Sequence, residues 1–147
     1  MKNITIKVKR LRSEAVLPAY MSQHAAGMDL FACPDEEMIV KPGCRAIVPT
    51  GIAIAIPVGY EGQVRPRSGL AIHRGVTLVN TPGTIDSDYR GELGIIIINH
   101  GNEDFIVTAG DRIAQLVIAP VQKAILEQVE QLDATERNDG GFGHTGF

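Results

Sequence analysis

Short apolar segments separated by turns recur along most of the chain. In the first, Ile4, Ile6 and Val8 alternate with polar residues, which is the two-residue period of a half-buried strand. Comparable segments rich in Ile and Val lie at 51–56, 75–80, 94–99, 104–107 and 112–121. Turns containing Gly or Pro separate them, and each is too short for a typical helix. The pattern predicts an all-β sandwich or barrel-like fold with at most one short helix near 69–75.

Two of these strands are apolar on both faces, AIAI at 53–56 and IIII at 95–98. Strands of this kind must be covered on both faces. A subunit interface is one possible cover and predicts a homo-oligomer. The alternative is a strand buried wholly inside a two-layer sandwich.

Residues 124–133, AILEQVEQLD, fit two different elements. Ile125, Val129 and Leu132 have helical spacing, whereas Leu126 and the alternating polar residues permit a strand. Because the rest of the chain is predicted to be β, we expect a strand here.

Composition narrows the class of protein. The chain of 147 residues fits one domain, and its net charge of −3 provides no broad basic surface for nucleic acid. No apolar stretch approaches the roughly 18 residues of a membrane span, so we expect neither a nucleic-acid nor a membrane partner. Cys33 and Cys44 lack the spacing of a zinc or redox motif, which favours reduced thiols in the cytoplasm.

The segment NTPGTIDSDYRGELG, at 80–94, has the highest density of side chains that could take part in catalysis. Its central run, residues 85–91, places two carboxylates, a phenol and a guanidinium beside glycine. A carboxylate near an apolar wall can act as a general base on an attacking water molecule. The alternative is an ordinary polar hairpin turn.

A second polar segment is RPRSGLA at 65–71, with Arg65 and Arg67 before Ser68 and Gly69. Arginine supplies a fork of donors for phosphate oxygens, and Ser-Gly adds a hydroxyl and accessible backbone N–H groups. The alternative is a solvated basic turn.

Two further segments carry oxygen ligands, AAGMDL at 25–30 with Asp29 and GDRIAQL at 110–116 with Gln115. Their side chains suit the outer ligand shell of Mg²⁺, which usually retains water molecules. Taken singly, both are also ordinary turn and strand residues.

A resemblance to a known family rests on five segments in series: AGMDL, PRSGLA, GTIDSDYRGELG, GDRIAQL and RNDGGFGHTG. In order and spacing they resemble the five motifs of the homotrimeric dUTPases and span residues 25–146. The resemblance implies a trimer of jelly-roll-like β-barrel or sandwich subunits that hydrolyses dUTP to dUMP and pyrophosphate with Mg²⁺. It also implies a β domain at 1–136 and a flexible glycine-rich C-terminal lid at 137–147.

By the same resemblance, Asp86 is the general base that activates the water attacking the α-phosphorus of the substrate. Tyr89 packs against the deoxyribose and leaves no room for a 2′-hydroxyl. The uracil edge is read by a set of hairpin residues: Asn80, Gly83, Thr84, Ile85 and Gly94.

The triphosphate is expected to be held by Arg67, Ser68 and Gly69, usually from a neighbouring subunit. Gln115 is expected to contact the substrate. Together with Asp29 it also contacts Mg²⁺ through water, while the metal is held mainly by the substrate phosphates.

The C-terminal segment supplies the remaining expected contacts. Arg137 clamps the γ-phosphate and Phe142 stacks on uracil, while further donors come from Gly143, His144 and Thr145. The family usually has glycine at the position of Asn138 and serine at that of His144. Asparagine tolerates left-handed backbone geometry, and the histidine can donate through its backbone or its ring.

Two other functions compete with this interpretation. One is a dCTP deaminase of the same fold, and the other is a non-catalytic trimeric nucleotide-binding regulator. The presence of Asp86, the Asp-Tyr-Arg-Gly run and Arg137 favours the dUTPase.

Overall fold

A computed structural model of the protein describes residues 3–141. Within that range the chain forms eleven short strands and one helix. In chain order these are β1 (Lys7–Arg10), β2 (Gly27–Phe31), β3 (Met38–Val40), β4 (Arg45–Pro49), β5 (Ile52–Ala55), β6 (Tyr60–Arg65), α1 (Ser68–Arg74), β7 (Val76–Leu78), β8 (Gly83–Ile85), β9 (Gly94–Asn99), β10 (Phe105–Val107) and β11 (Arg112–Pro120).

The strands pair antiparallel in four sheets that share one core. The largest sheet has the order β2-β11-β6-β8, the next has β4-β9-β7, and two-stranded sheets join β1 with β5 and β3 with β10. Ten of the eleven strands place an apolar residue in the same buried cluster or packed directly against it. This arrangement confirms the predicted all-β, jelly-roll-like fold, because strands of all four sheets contribute to one core between them.

The single helix lies where the sequence predicted it. It begins after Arg67 and ends at Gly75, whose left-handed backbone (φ 65°) directs its N–H to the carbonyl of Ala71. A Cβ at Gly75 would approach the nitrogen of Gly101 to 2.6 Å, so the close contact as well as the backbone conformation requires glycine. No helix among residues 3–141 is long and apolar enough to cross a membrane.

The two strands predicted to be apolar on both faces behave differently. Ala53, Ile54 and the following Ile56 are all buried, because β1 and the core cover β5 within the chain. In β9 only alternate residues are buried, and the outward residue Ile96 pairs with Ile47, which is 64% exposed. One chain therefore buries most of the first strand, with Ala55 half-buried, and leaves an apolar face on the second.

The strand predicted at 124–133 is not formed in the described chain. After Pro120 the backbone continues without a helix or a strand, and Ile125 and Leu126 are 97% and 93% exposed. The prediction is wrong for a single chain because a strand requires a hydrogen-bonded partner. None of the described strands pairs with this segment.

Candidate active site

A buried carboxylate, Asp29, marks the first half of the site. Strand β2 pairs with β11 so that Asp29 lies opposite Gln115, and Leu30 next to it enters the core. Asp29 is only 3% exposed. The amide Nε2 of Gln115 donates to Asp29 Oδ1 at 3.3 Å. The structure thus brings the two expected outer-shell metal ligands together on adjacent strands.

Two guanidinium groups compensate the charge of Asp29. Arg112 Nη1 lies 3.3 Å and Arg67 Nη2 lies 3.7 Å from Asp29 Oδ2. Arg67 also donates through Nη1 to the carbonyl of Arg112 at 2.8 Å. Since two cations face one carboxylate, this group of residues carries a net positive charge. We call it the anion cluster, after the anions that it would bind; its members are Asp29, Arg67, Arg112 and Gln115.

The anion cluster opens on a hollow of about 440 Å³ beside α1. Arg67, Arg74 and Arg112 line it, as does Asp111, whose carboxylate accepts hydrogen bonds from the N–H and hydroxyl of Thr108. A cavity lined by several guanidinium groups suits an anion with more than one charged oxygen.

Ser68 and Gly69 form the first two positions of α1 and are both exposed. The first N–H groups of a helix have no acceptor within the helix. A Cβ added at Gly69 would meet no atom within 4 Å, so packing inside the chain does not explain this glycine. The space above it is open to a ligand.

The second half of the site is the 80–94 loop. Tyr89 N donates to Asp86 O at 3.1 Å, so the two residues close one tight turn. Asp86 is exposed and lines a hollow of about 400 Å³ whose walls include Val58 and Val121. The expected base therefore has an exposed carboxylate next to apolar side chains.

The residues expected to read the uracil edge lie mostly along β8. Among the described strands, β8 pairs only with β6, so its other backbone edge is open. A Cβ at Gly83 would approach Asn80 Nδ2 to 2.9 Å, which places the Asn80 amide against this strand. Thr84 is exposed and Ile85 half-buried. Gly94 begins β9 in a different sheet, opposite Pro49.

The two halves do not meet within one chain. Along β6, Gly62 pairs with Ile85 and Arg65 pairs with Gln115. Two strand spacings and three residues of offset separate the Cα atoms of Ile85 and Gln115 by roughly 14 Å. Asp86 lies one residue further from the anion cluster.

The C-terminal segment is described as far as residue 141. Asn138 has φ 42°. This is the left-handed geometry expected at a position where the family usually has glycine. Its side chain accepts from Thr135 N, and its N–H donates to Thr135 Oγ1. Arg137 Nε donates to Gly140 O at 2.7 Å. The expected contacts of Phe142, Gly143, His144 and Thr145, and most of the expected flexible tail, lie outside the described residues.

Sequence reasoning did not assign a role to Arg112. Regular alternation on β11 would direct residues 112 and 115 to opposite faces of the sheet. The pairing with β2 shifts register between Arg112 and Ala114, and such an irregularity lets both side chains reach Asp29. The only signal in the sequence was the position of Arg112 within the GDRIAQL segment.

We expect Arg112→Ala to weaken the anion cluster. Asp29 would keep Arg67 as its only guanidinium partner and orient that side chain less firmly. Because the Arg112 side chain is half exposed, the loss of unfolding free energy is only about 1 kcal/mol. Activity on a triphosphate substrate should fall about tenfold, since about 1.4 kcal/mol corresponds to that factor.

The measurement is kcat/KM for wild type, Arg112→Ala and Arg112→Lys, with Lys41→Ala in an exposed turn as the control. The lysine variant should recover part of the activity. If Arg112→Ala matched the Lys41→Ala control, Arg112 would have no part in the site.

The residues of the anion cluster fit Mg²⁺ only as outer ligands. Among residues 3–141, no group of three or more His, Cys, Asp or Glu side chains is placed to hold a metal ion. Both oxygens of Asp29 already have partners in the cluster. Mg²⁺ prefers six oxygen ligands and is commonly held by substrate phosphates and water, so most of its ligands here must come from outside the chain.

Comparison with known proteins identifies the family. A family model described as dUTPase matches residues 13–146. A deoxyuridine 5′-triphosphate nucleotidohydrolase of Syntrophotalea carbinolica is 82% identical over 147 residues, which is 100% of both chains.

Solved structures agree with this result. The dUTPase of Staphylococcus bacteriophage 80alpha with dUpNHpp has a TM-score of 0.86 and 31% identity, covering 99% of this chain and 100% of its own. A mutant dUTPase of phage phi11 of S. aureus, which coordinates a structural Mg(II) ion, has a TM-score of 0.79 and 28% identity, covering 87% of this chain and 98% of its own. The match over nearly the whole chain, together with the 82% identity, shows that this protein belongs to the dUTPase family.

Proposed function

We propose that this protein hydrolyses dUTP to dUMP and pyrophosphate. The name of the relative that is 82% identical along the full chain carries this conclusion. The exposed Asp86 and the cationic cluster around Asp29 supply the two kinds of group that the reaction needs. One is a base for water, and the other is a set of donors for phosphate oxygens.

Asp86 acts as the general base in the proposed reaction. Its carboxylate takes a proton from a water molecule whose oxygen bonds to the α-phosphorus. The bond between that phosphorus and the bridging oxygen to the β-phosphate breaks, and pyrophosphate leaves with the electron pair. A positioned base contributes about 10²–10⁴ to the rate.

The open edge of β8 and the side chain of Tyr89 select the nucleoside. The uracil edge pairs with backbone groups of Gly83, Thr84 and Ile85. Asn80, beside these residues, and Gly94, across the loop, contact the same edge. Cytosine presents an amino donor where uracil presents a carbonyl, which leaves buried polar groups unpaired. The ring of Tyr89 packs against the deoxyribose and excludes a 2′-hydroxyl.

The anion cluster holds the phosphate chain. Arg67 donates from its guanidinium, while Ser68 and Gly69 offer the hydroxyl and first N–H groups of α1. Asp29 and Gln115 hold waters of a Mg²⁺ ion that is bound mainly by the phosphates. When bound, this ion neutralises charge on the phosphate oxygens.

We propose that three copies of the chain assemble and share active sites. The separation of the two halves within one chain supports this, since a neighbour can bring its anion cluster to the 80–94 loop. The uncovered apolar face on β4 and β9, which includes Ile47 and Ile96, supports it too. An apolar groove of about 670 Å³ beside β1 offers a place for the exposed 124–133 segment of another copy.

Sedimentation equilibrium tests this assembly. We expect a mass three times that of the chain, and Ile47→Asp should shift the distribution towards smaller species because it buries a charge in the interface. Glu36→Ala, at an exposed turn, is the control. A fully active monomer would contradict shared sites.

We further propose a division into the domain 1–136 and a lid at 137–147, and a cytoplasmic location. The two hydrogen bonds between Thr135 and Asn138 support a structural boundary near residue 136. Cys33 and Cys44 are both free thiols, which suits a reducing compartment.

One assay separates the candidate functions. The purified protein is incubated with Mg²⁺ and dUTP, dCTP or UTP, and the products are resolved by chromatography. We expect dUMP and pyrophosphate from dUTP alone. Conversion of dCTP to dUTP would instead indicate the deaminase, and binding of dUTP without turnover would indicate a regulator.

A further inference from the structure

Gly91 lies directly beneath the side chain of Tyr89. A Cβ added at Gly91 would come within 2.6 Å of Tyr89 Cζ and closer still to its hydroxyl oxygen. Gly91 is not among the glycines with positive φ, so backbone conformation does not demand glycine here. The close approach of the Tyr89 ring is what requires glycine at this position.

The hydroxyl end of the same ring is tethered. Tyr89 Oη donates to the carbonyl of Glu92 at 2.9 Å, while the ring is 44% exposed. The ring is thus held against the loop backbone and keeps a substantial part of its surface free. A rigid side chain with a free surface can act as a fixed steric wall.

The residue that accepts this hydrogen bond is itself anchored to another part of the fold. Glu92 Oε1 accepts from Gly51 N at 2.7 Å. The next residue, Leu93, is buried, and its carbonyl accepts from Thr50 Oγ1 at 2.7 Å. Leu93 N donates to Ile52 O at 2.9 Å. Thr50 N also donates to the carbonyl of Leu93 at 3.2 Å, so four hydrogen bonds fasten the end of the 80–94 loop to the turn between β4 and β5 and the start of β5.

That turn has little freedom to move. Gly51 has φ 68°, and a Cβ there would meet Ala15 Cβ at 2.8 Å and Cys33 Sγ at 3.0 Å. Its carbonyl accepts from Leu11 N at 2.8 Å. A carboxylate that accepts a backbone N–H forms a charge-assisted hydrogen bond, stronger than one between neutral groups. The support behind Tyr89 is therefore rigid back to the core.

We propose that Gly91 is a specificity-determining residue and Glu92 a positioning residue, because together they set where the Tyr89 ring stands in the sugar subsite. This inference rests on the proposed function, in which Tyr89 excludes the 2′-hydroxyl. Gly91 sets how far the ring projects, and the tether through Glu92 keeps it from yielding to a larger sugar. Deoxyribose specificity thus depends on residues that do not touch the nucleotide.

A double-mutant cycle tests the role of Gly91. The kcat/KM for dUTP is measured for wild type, Gly91→Ala, Tyr89→Ala and the double variant. We expect Gly91→Ala to lower it at least about tenfold, the lower end of the effect of a misplaced group in a fitted pocket. In the Tyr89→Ala background, Gly91→Ala should lower kcat/KM by no more than about twofold, because the clash with the tyrosine ring is gone. An equal loss in both backgrounds, or none in the wild type, overturns the proposal.

The tether is tested by discrimination rather than by activity. The ratio of kcat/KM for dUTP to that for UTP is measured for Tyr89→Phe, Glu92→Ala and Glu92→Gln. Loss of one hydrogen bond should lower this ratio about fivefold in Tyr89→Phe. Glu92→Ala should lower it similarly, while Glu92→Gln keeps an acceptor oxygen and should stay closer to the wild type. An unchanged ratio in both Tyr89→Phe and Glu92→Ala overturns the tether.

These outcomes are separable from failure of the proposed function. If wild type did not hydrolyse dUTP in preference to UTP, the proposed function would be wrong. If it did, and the variants behaved as wild type, only the present inference would fail. Thermal unfolding of each variant reports folding, and Tyr89→Phe adds no atoms, so it decides whether the ring is tethered even if Gly91→Ala does not fold. In that case, failure of the added Tyr89→Ala change to restore folding would overturn the role of Gly91.

Discussion

Asp86→Asn should lower the turnover of dUTP at least about 100-fold, the lower end of a general-base contribution. Asparagine has nearly the same size and can still accept hydrogen bonds, but it cannot take the proton of the attacking water. Because Asp86 is exposed at the edge of a hollow, the fold should be unaffected. The measurements are kcat with Mg²⁺ and the dissociation constant of the analogue dUpNHpp.

Binding of the analogue should stay within about threefold of wild type, since removing an interaction made only in the transition state leaves ground-state affinity intact. Asp104→Asn is the matched control, because Asp104 is an exposed aspartate in front of β10, in a different sheet. Its turnover should equal that of wild type. Near-normal turnover by Asp86→Asn would remove Asp86 from the role of base.

Deletion of residues 137–147 should lower kcat/KM at least about 100-fold while the β domain and its assembly remain intact. Ordering eleven residues costs roughly 10–20 kcal/mol of backbone entropy, and bound triphosphate is the expected source of compensating contacts. A segment that closes over the substrate excludes water and completes the site, and misplacing such groups by about 1 Å already costs about 100-fold. Steady-state kinetics of the truncated protein measures the loss of kcat/KM, and its sedimentation shows whether the assembly remains intact.

Arg137 allows a finer version of this experiment. It is exposed, and among the described residues its side chain is hydrogen-bonded only to the nearby Gly140 carbonyl, so Arg137→Ala should leave the fold unchanged. Its activity should approach that of the deletion if the guanidinium clamps the γ-phosphate, and Arg137→Lys should recover part of it. A truncated protein with wild-type activity would refute the lid.

The two halves of the site explain why a single chain is expected to be inactive. The anion cluster sits on β2 and β11 and before α1, whereas Asp86 and Tyr89 follow β8 at the opposite edge of the same sheet. Within one chain, antiparallel register separates the Cα atoms of Ile85 and Gln115 by roughly 14 Å. Assembly is therefore part of the proposed catalytic mechanism, since it delivers the phosphate-binding groups to the base.

The amino-acid sequence alone determined the local features of this protein. Short segments rich in Ile and Val located six of the eleven strands, and the gap between them near 69–75 left room for the single short helix, because these signals depend on neighbours within a few residues. The order of five short motifs identified the family, together with Asp29, Asp86 and Gln115 as candidate residues. Asn138 was correctly expected to tolerate left-handed geometry.

Tertiary structure decided what depends on distant residues. The shifted register on β11 brought Arg112 to Asp29, which is 83 residues away in the sequence. The hydrogen bond between Glu92 and Gly51 joins segments 41 residues apart. The segment 124–133 has strand-like composition yet finds no partner in its own chain, because strand formation requires a ladder that sequence alone cannot supply. Contacts between segments that are distant in the sequence account for each of these differences.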